Sequence, residues 1–454
     1  MRLRARDLLL AAAALLVAPP VAALAAQEPG RIPIETYTLP NGLTVILSED
    51  HSAQVVNVGV WYDVGSRDER PGRTGFAHLF EHMMFQGSAN VKKGDYMSLI
   101  ERAGGSLNGT TNEDRTWYFQ TVPSNRLNLA LWMEADRMRS LAVTPENFEN
   151  QRQAVKEERR LRVDNQPYNR VFFEDMYGLV DSTTCFPYAH SVIGSMADLD
   201  AAKTEDVQAF FAENYAPNNA TIAIVGDFEP AAARAFVTQY FGDIPRGAAA
   251  SPVTCQQPFN TGARRTNIVN PLANLPAVAH AYRVPAYTDA DMPALELLAA
   301  AMGQGESSRL TRRLTREARA TAAAQALVNP MGPRQGPGTF LVFTVANQGV
   351  SADSVDRLVA AEVARVAAEG ISEAELRKAK NGYRATQAQQ RQSVDNVGAA
   401  LLEANAIFGT PEAVNTDIER YLKVTVDDVK RVAAKYLVPQ NSLILIVTAE
   451  KTAS

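Results

Sequence analysis

TEDVQAFFAENYAPNNATIAIVGDF, residues 204–228, has the pattern of an amphipathic helix, a Pro-Asn turn and a hydrophobic strand. The same order of elements returns in TVDDVKRVAAKYLVPQNSLILIVTAE, residues 425–450. Two helix-opening segments, AVTPENFENQRQAVKEE (142–158) and GISEAELRKAKNGYRA (370–385), are displaced by a similar distance. Two matched pairs in the same order indicate that the chain contains a duplicated domain.

The boundary between the two copies falls in PRGAAASPVTCQQPFNTGARR, residues 245–265, which is rich in Pro, Gly, Ala and Ser and has no hydrophobic period. We predict a first domain at 34–245, a linker at 246–265 and a second domain at 266–450. Strand-like runs such as VVNVGVWYDVG alternate with long helices such as RLNLALWMEADRMRSL. This mixture predicts an α+β fold with two homologous domains, each a mostly antiparallel sheet with helices packed on one face.

The bulk composition is that of an ordinary globular protein. The chain has 454 residues, of which 46% are hydrophobic and 21% charged, and its net charge of -5 argues against nucleic acid as a partner. Residues 1–26 differ from the rest, with a basic start, an apolar core at 8–18 and an Ala-Leu-Ala motif at 23–25. This pattern predicts a secretory signal peptide and export to the periplasm. No later stretch predicts a transmembrane helix.

Cys185 and Cys255 are the two cysteines of the chain. In an exported protein they meet an oxidising compartment, where a pair of cysteines often forms a disulfide. The sequence leaves two possibilities open, a Cys185–Cys255 bridge or two separate buried thiols. Neither cysteine has neighbours at the spacing of metal ligands.

The segment HLFEHMMFQG, residues 78–87, contains two of the five histidines of the chain. AHLFEHMMF has neither proline nor glycine, and a helix there places His78 and His82 one turn apart on one face. That spacing suits two imidazole ligands of one zinc ion, and Glu81 lies beside them as a candidate general base. The alternative is an amphipathic helix whose histidines bind no metal.

A catalytic zinc site needs a third protein ligand, and the other histidines have no comparable setting. The amphipathic helix QRQAVKEERRLR, residues 151–162, offers Glu157 and Glu158. Adjacent helical residues differ by about 100° in direction, so only one of the two can face a given metal. The spacing alone does not decide between them.

These motifs resemble those of the pitrilysin/insulinase-type (M16) zinc metallopeptidases, in particular the half-length bacterial members related to the mitochondrial processing peptidase. The motifs are HLFEH, AGGSLNGTTNEDRTWYF, QRQAVKEERRLRVDNQPY and, as a weaker match, MGQGESSRLTRRL, and the likeness extends over 34–450. The resemblance implies two homologous α+β domains, with one Zn²⁺ per chain. It also implies His78, His82 and Glu158 as the zinc ligands and Glu81 as the base.

The resemblance further implies how substrate binds. Members of the family cut peptides inside a chamber between two such halves, and the substrate adds as an extra strand to the edge of a sheet. The stretch GGSLNGTT, residues 104–111, resembles that edge strand, which implies substrate contacts from Gly105, Ser106 and Asn108. From sequence alone, the Asn-Gly pair is also compatible with a hairpin turn.

The second copy departs from the family's catalytic pattern. Its positions equivalent to the metal motif hold Glu296, Ala299 and Ala300, so only the first copy carries the metal set. The family's opposing half supplies an arginine and, seven residues later, a tyrosine; here Arg316 stands at the first position and Ala323 at the second. One oxyanion donor is typically worth about 2.7–4 kcal/mol. The missing tyrosine favours a heterodimer, whose second half-length subunit supplies the Arg/Tyr pair, over a homodimer.

The predicted function is that of a zinc-dependent endopeptidase acting on peptides or unfolded segments. A family glutamate that precedes the third ligand by two helical turns is Gln151 here, which is a further departure. The main alternative is a non-catalytic scaffold subunit, akin to relatives that lost hydrolysis, and the intact H-x-x-E-H motif argues against it. A zinc hydrolase of non-peptide substrates has no supporting feature besides the metal motif.

Overall fold

The computed structural model describes residues 30–449 apart from 250–252, 254, 256 and 333. The predicted signal peptide, residues 1–26, lies outside the described residues. Within the described part, no helix combines the length and the apolar character needed to cross a membrane.

Runs of strands and runs of helices follow one another along the described chain. The strands are β1 (Glu35–Thr38), β2 (Thr44–Glu49), β3 (Val55–Tyr62), β4 (Ser106–Thr111), β5 (Thr116–Pro123), β6 (Ala220–Gly226), β7 (Arg264–Val269), β8 (Ala277–Val284), β9 (Thr321–Val328), β10 (Gly338–Ala346) and β11 (Ser442–Thr448). The helices are α1 (Phe76–Met83), α2 (Asp95–Arg102), α3 (Leu127–Ser140), α4 (Pro145–Arg159), α5 (Asn169–Phe173), α6 (Met196–Ala201), α7 (Thr204–Asn214), α8 (Pro230–Phe241), α9 (Met292–Gly303), α10 (Ala352–Glu369), α11 (Glu373–Gln390), α12 (Val394–Phe408), α13 (Ala413–Thr416), α14 (Ile418–Lys423) and α15 (Val426–Tyr436).

The strands form two sheets with the same topology. The first has the order β1-β2-β6-β3-β5-β4 and the second the order β7-β11-β8-β10-β9. Each contains one parallel pair, β2 with β6 and β7 with β11, and the other pairs are antiparallel. Every strand of the second sheet thus has a counterpart in the first, which confirms the predicted α+β fold with two homologous domains. The exact limits 34–245 and 266–450, with a linker at 246–265, stay predictions.

The two repeated sequences fold alike and occupy equivalent places. Residues 204–228 form α7, a 3-10 turn at Pro217–Asn219 and β6. Residues 425–450 form α15, a 3-10 turn at Pro439–Asn441 and β11 within their described part. Both strands are interior strands that join a parallel to an antiparallel neighbour. The repeat therefore builds the centre of each sheet.

Each sheet is covered on one face by helices of its own half. In the first half, residues of β3 and β6 pack with residues of α1, α3, α4 and α7. In the second half, residues of β8 and β10 pack with residues of α9, α10 and α15. This arrangement is the predicted one, with helices packed on one face of each sheet.

The other face of each sheet is covered by the opposite half. Helix α12 places Leu401 and Leu402 in a cluster with Ile46 and Val225 of the first sheet. In return, Val171 of α5 packs in a buried cluster with residues of β8, β10 and β11 of the second sheet. All eight residues of β8 are buried, as expected for a strand that is covered on both faces. The two halves therefore complete each other's cores.

A disulfide joins Cys185 to Cys255 across 70 residues of sequence. Cys185 follows α5 in the first half, whereas Cys255 lies within the predicted linker. Of the two possibilities that the sequence left open, the structure has the bridge. The bridge ties the linker to the segment that covers the second sheet.

Candidate metal centre

The start of α1 is fixed by a buried carboxylate. Glu69 accepts hydrogen bonds from the backbone N–H groups of Gly75 and Ala77, each over 2.8 Å. Gly75 has a φ of 89°, and a Cβ atom there would lie 2.8 Å from the carbonyl oxygen of Ile193. Only glycine fits such a left-handed position against a neighbouring backbone. These contacts set the direction in which α1 presents its motif residues.

The two motif histidines and Glu158 come together between α1 and α4. Glu158 Oε2 lies 3.1 Å from His82 Nε2 and 3.6 Å from His78 Nε2. The ligand atoms of the three residues all lie within 4.8 Å of one another, and no other such group of His, Cys, Asp or Glu occurs in the described chain. Two donors of a tetrahedral zinc ion, each about 2.0 Å from the metal, are about 3.3 Å apart. The donor types fit zinc, and the 3.1 and 3.6 Å distances from Glu158 to the two histidines are close to this spacing.

Of the two adjacent glutamates, Glu158 lies with the histidines. Glu157 points away from them and pairs with Arg160 at the surface, where the Glu157 side chain is 58% exposed. Glu158 also accepts a contact of 3.1 Å from Arg162 Nε through its other oxygen. The helical geometry predicted that only one could face the metal, and the packing of α4 on α1 selects Glu158.

The electrostatics favour the protonation state that a metal requires at Glu158 and at His78, whereas at His82 they favour the protonated imidazole, whose proton a metal would have to displace. The hydrogen bond from His82 lowers the pKa of Glu158 to about 2. Burial, followed by the nearby His82, lowers the pKa of His78 to about 4. Burial also acts against a charge on His82, but the hydrogen bond and charge of Glu158 outweigh it and raise the pKa of His82. At neutral pH the site thus holds an ionised carboxylate and a neutral His78 imidazole, as metal binding requires.

Glu81 lies beside this group but has a different partner. Thr111 at the end of β4 donates a hydrogen bond of 2.6 Å to Glu81 Oε2. Burial raises the pKa of Glu81, although the Thr111 hydrogen bond works in the opposite direction. A Cβ atom on Gly109 would lie 3.1 Å from Glu81 Cγ, so glycine allows α1 to approach the strand closely. A carboxylate with a raised pKa is suited to accepting and releasing a proton.

The strand beside Glu81 is an edge strand. β4 pairs with β5 on one side and is the last strand of the first sheet, so its other side is unpaired. Ser106 and Asn108 lie in β4 with exposed side chains, and Gly105 directly precedes the strand. The hairpin turn considered for the Asn-Gly pair is wrong, because Asn108 and Gly109 both pair with β5 in regular register. The substrate-binding role of Gly105, Ser106 and Asn108 stays a prediction.

The remaining candidate residues lie in the second half. Arg316 is exposed on the π-helical turn Thr311–Glu317. It pairs with Glu306 and not with the residues of the candidate metal centre. Ala323 lies in β9, the counterpart of β4. On α9, the counterpart of α1, Glu296 accepts a hydrogen bond from the hydroxyl of Tyr421. Burial raises the pKa of Glu296 to about 7.

Sequence reasoning missed two residues that shape the site. Glu69 accepts hydrogen bonds from the backbone at the start of α1. The sequence signal for this role was an acidic residue placed shortly before the glycine that opens the helix. Thr111 contacts the candidate base, and its two-residue spacing from Gly109 in a strand places both on the face toward α1. Both signals become informative only once the strand and helix boundaries are known.

Comparison with known proteins places the chain in a family. A family model described as "Insulinase (Peptidase family M16)" matches residues 44–177, and one described as "Peptidase M16 inactive domain" matches residues 201–383. The zinc protease PqqE of Helicobacter pylori is 32% identical over 410 residues, which cover 88% of this chain and 90% of that protein. The chain therefore belongs to the M16, or insulinase-type, peptidase family.

Two further relatives agree with the half-length organisation. An Arabidopsis thaliana protein named probable mitochondrial-processing peptidase subunit beta is 25% identical over 413 residues, or 88% of this chain and 75% of that protein. The crystal structure of a protease from Helicobacter pylori matches with a TM-score of 0.86 and 28% identity, over 92% of this chain and 100% of that chain. These likenesses confirm the predicted resemblance to half-length M16 members and the mitochondrial processing peptidase.

Proposed function

We propose that the chain is a zinc-dependent endopeptidase that binds one zinc ion through His78, His82 and Glu158. The observation that carries the proposal is the convergence of the ligand atoms of these three residues within 4.8 Å, with the half-buried Glu81 beside them. Family membership and relatives named zinc proteases support it. The match described as an inactive domain begins at residue 201, after all four of these residues.

In the proposed reaction, Glu81 transfers the proton and Thr111 orients Glu81. When bound, zinc lowers the pKa of a water ligand toward about 7 and polarises the scissile carbonyl. Glu81 takes the proton of the attacking water and delivers it to the leaving amine. Thr111 holds the carboxylate of Glu81 in one orientation through its 2.6 Å hydrogen bond.

The substrate we propose is an extended peptide or an unfolded segment. The unpaired side of β4 offers main-chain hydrogen bonds to such a segment, which then lies next to Glu81. Gly105, Ser106 and Asn108 would contact it along this edge. Most main-chain groups of a folded protein are already paired, whereas those of an extended segment are free, so this mode of binding favours extended chains.

A second half-length subunit would complete the catalytic chamber. In the resembling family the opposing half supplies an arginine and a tyrosine, whereas this chain has Arg316 and Ala323 at those positions. We therefore favour a heterodimer whose partner supplies the Arg/Tyr pair, and a homodimer is the other possibility.

We also propose that the chain is exported to the periplasm, which the Cys185–Cys255 disulfide supports because such bridges persist in oxidising compartments.

The experiment that tests the proposal combines metal analysis with a peptide assay. The mature chain, purified from the periplasm, should contain one equivalent of zinc and should cleave an unstructured fluorogenic peptide. A chelator should abolish cleavage, and added zinc should restore it. A protein that binds no zinc and cleaves no peptide, alone or with a half-length partner, would instead support the scaffold role.

A further inference from the structure

The turn that follows the edge strand is held by the second half of the chain. Residues 112–115 connect β4 to β5, and Glu113 within this turn is 1% exposed. Arg334 of the second half, itself 2% exposed, donates a hydrogen bond to Glu113 Oε1. The hydroxyl of Tyr177 donates to the same oxygen over 2.8 Å. A fully buried ion pair thus joins the turn to the opposite half.

A second set of contacts reaches the next residue of the turn. The backbone N–H of Gln335 donates to Asp114 Oδ2 over 2.8 Å. Arg67 donates to Asp114 Oδ1 over 2.9 Å and to the side-chain oxygen of Gln335 over 2.7 Å. Tyr188 also donates to Asp114. Both carboxylates of the turn are therefore bound by residues 334 and 335.

The contacts join equivalent parts of the two domains. Residues 329–337 connect β9 to β10, just as residues 112–115 connect β4 to β5. The ends of the two corresponding hairpins therefore meet. Gly336 packs against Tyr188, where a Cβ atom would lie 2.2 Å from Tyr188 Cε2, and Tyr188 in turn donates to Asp114 of the first hairpin.

The turn at 112–115 directly follows the residues of β4 that lie beside Glu81, the candidate base. Its backbone is closed by a 3.0 Å hydrogen bond from Asn112 N to the carbonyl of Arg115. The guanidinium of Arg115 donates back to the carbonyl of Thr110 over 2.6 Å. Thr111, between these two points, is the residue that donates to Glu81. A shift of the turn would therefore move both the end of β4 and the partner of Glu81.

We propose that Arg334 and Gln335 are positioning residues for the catalytic site of the first half. They hold the turn at 112–115, and through it they fix the direction of Thr111 toward Glu81 and the course of β4 along which the peptide lies. The second half, which lacks the metal motif, would thus take part in catalysis within the same chain. This inference rests on the proposed function, since it assigns roles to β4 and Glu81.

The test removes the ion pair without leaving a lone buried charge. The double variant Glu113→Gln with Arg334→Met replaces both charges by neutral side chains of similar size, because a single charge left unpaired in the core destabilises strongly. Arg309→Met with Glu375→Gln is the control, an Arg–Glu pair of the second half whose side chains are 12% and 19% exposed. Within the described chain, the ionic and hydrogen-bond partners of that pair lie in the second half.

Hydrogen exchange and kinetics are measured on the full-length mature protein and on both double variants. For Glu113→Gln/Arg334→Met we expect unchanged zinc content, with exchange of the 106–111 amides about tenfold faster or more. We also expect kcat/KM to fall about tenfold or more, with a lower kcat as well as a raised KM, because small misplacements of catalytic groups are costly. The control should leave exchange in 106–111 and both kinetic constants unchanged. If the double variant fails to fold, Arg334→Lys, which keeps the charge, takes its place with the same expected direction.

The outcomes separate this inference from the proposed function. Wild-type exchange in 106–111 together with wild-type kcat and KM in the Arg334 variants would overturn the positioning role. Equal effects of the control pair would also overturn it, since the loss would then reflect general destabilisation. If the wild-type protein cleaved no peptide, either alone or with a half-length partner, the proposed function would fail. The exchange of 106–111 would still report whether the Glu113–Arg334 pair holds the turn.

Discussion

Glu81 and Glu158 lie near the same pair of histidines, but their surroundings shift their pKa values in opposite directions. The hydrogen bond from His82 lowers the pKa of Glu158 to about 2, whereas burial raises that of Glu81. An ionised carboxylate is a metal ligand, and a carboxylate with a raised pKa is a proton carrier. The two roles proposed for these glutamates follow from this difference in environment.

Glu81→Gln should separate metal binding from turnover. The amide keeps the size of the side chain and can still accept the Thr111 hydrogen bond, but it cannot take up a proton. We expect zinc content equal to that of the wild type and a loss of kcat of about 100-fold or more. Metal analysis and a fluorogenic-peptide assay measure the two quantities. A Glu81→Gln variant with wild-type kcat would exclude Glu81 as the base.

Glu158→Gln and Glu157→Gln form a matched pair of neighbouring substitutions. Glu158 faces the histidines and Glu157 pairs with Arg160 at the surface. We expect Glu158→Gln to weaken zinc binding about tenfold or more and to lose activity, because a carboxylate ligand is replaced by a neutral amide. Glu157→Gln should leave both unchanged. Competition with a zinc-binding dye gives the affinities, and the reverse ranking would exclude Glu158 as the ligand.

At the scale of elements, α9 is the counterpart in the second copy of α1, the helix that carries the H-x-x-E-H motif. Its Glu296 occupies the position equivalent to His78, and it accepts a hydrogen bond from Tyr421 in a buried environment. Ala299 and Ala300 stand where the base and the second histidine would be, so no ligand set is present on that helix. Helix α9 thus packs on its sheet as α1 does, but it has no metal-binding residues at the equivalent positions.

Glu296 should make the stability of the protein depend on pH. Burial raises its pKa from 4.5 to about 7, so the folded state favours the protonated form. Its stabilising contribution is complete below about pH 4.5 and is lost as the pH rises through about 7, which amounts to up to about 3 kcal/mol. Glu296→Gln should lack this loss and should gain stability relative to the wild type at pH 8. Denaturant unfolding at pH 5 and pH 8 measures the difference, with the exposed Glu306→Gln as control.

The Cys185–Cys255 bridge should contribute to stability through the 70-residue loop that it closes. Replacing both cysteines by serine should lower the free energy of unfolding by about 2–5 kcal/mol, because the unfolded chain gains conformational freedom. Denaturant unfolding of the oxidised wild type and of the double variant measures this change. Reducing agent should destabilise the wild type and leave the variant unaffected; equal stability of the two proteins would contradict the prediction.

At the scale of the whole molecule, the two halves share their cores and meet at equivalent hairpins. Helix α12 covers the first sheet, and α5 packs on the second. The buried Glu113–Arg334 pair adds a polar contact between the two halves beside the candidate site. The second half therefore packs against the domain that contains the candidate metal centre, even though it has no metal motif of its own.

Activity of the chain alone should be weak, and a partner should raise it. Ala323 offers no hydroxyl to the developing oxyanion, and one such donor is worth about 2.7–4 kcal/mol, or about 100- to 1,000-fold in kcat. Adding a half-length relative that has the Arg/Tyr pair but no H-x-x-E-H motif should raise kcat by up to that factor. Size-exclusion chromatography should show a 1:1 complex. Full activity of the chain alone would instead favour the homodimer.

Much of the fold and part of the site could be predicted from local patterns. Helical spacing predicted that His78 and His82 share a face, and the repeated helix–turn–strand sequence predicted two homologous domains. Adjacent placement of Glu157 and Glu158 left the third ligand open, because spacing alone does not show which side of α4 packs on α1. Thr111 was missed for the same reason, since its contact with Glu81 spans 30 residues of sequence.

The sequence by itself determined the elements, their duplication and the residue types of the metal group, because backbone geometry and hydrophobic periodicity act over a few residues. Spacing left the third ligand open and the family resemblance implied Glu158; the tertiary structure places Glu158 beside the histidines. Only the tertiary structure decided that Cys185 bonds Cys255 and that α12 and α5 cover the sheets of the opposite halves. The same holds for Arg334 and Glu113, which are 221 residues apart in the chain. Such contacts depend on which surfaces bury each other, and no local pattern specifies that choice.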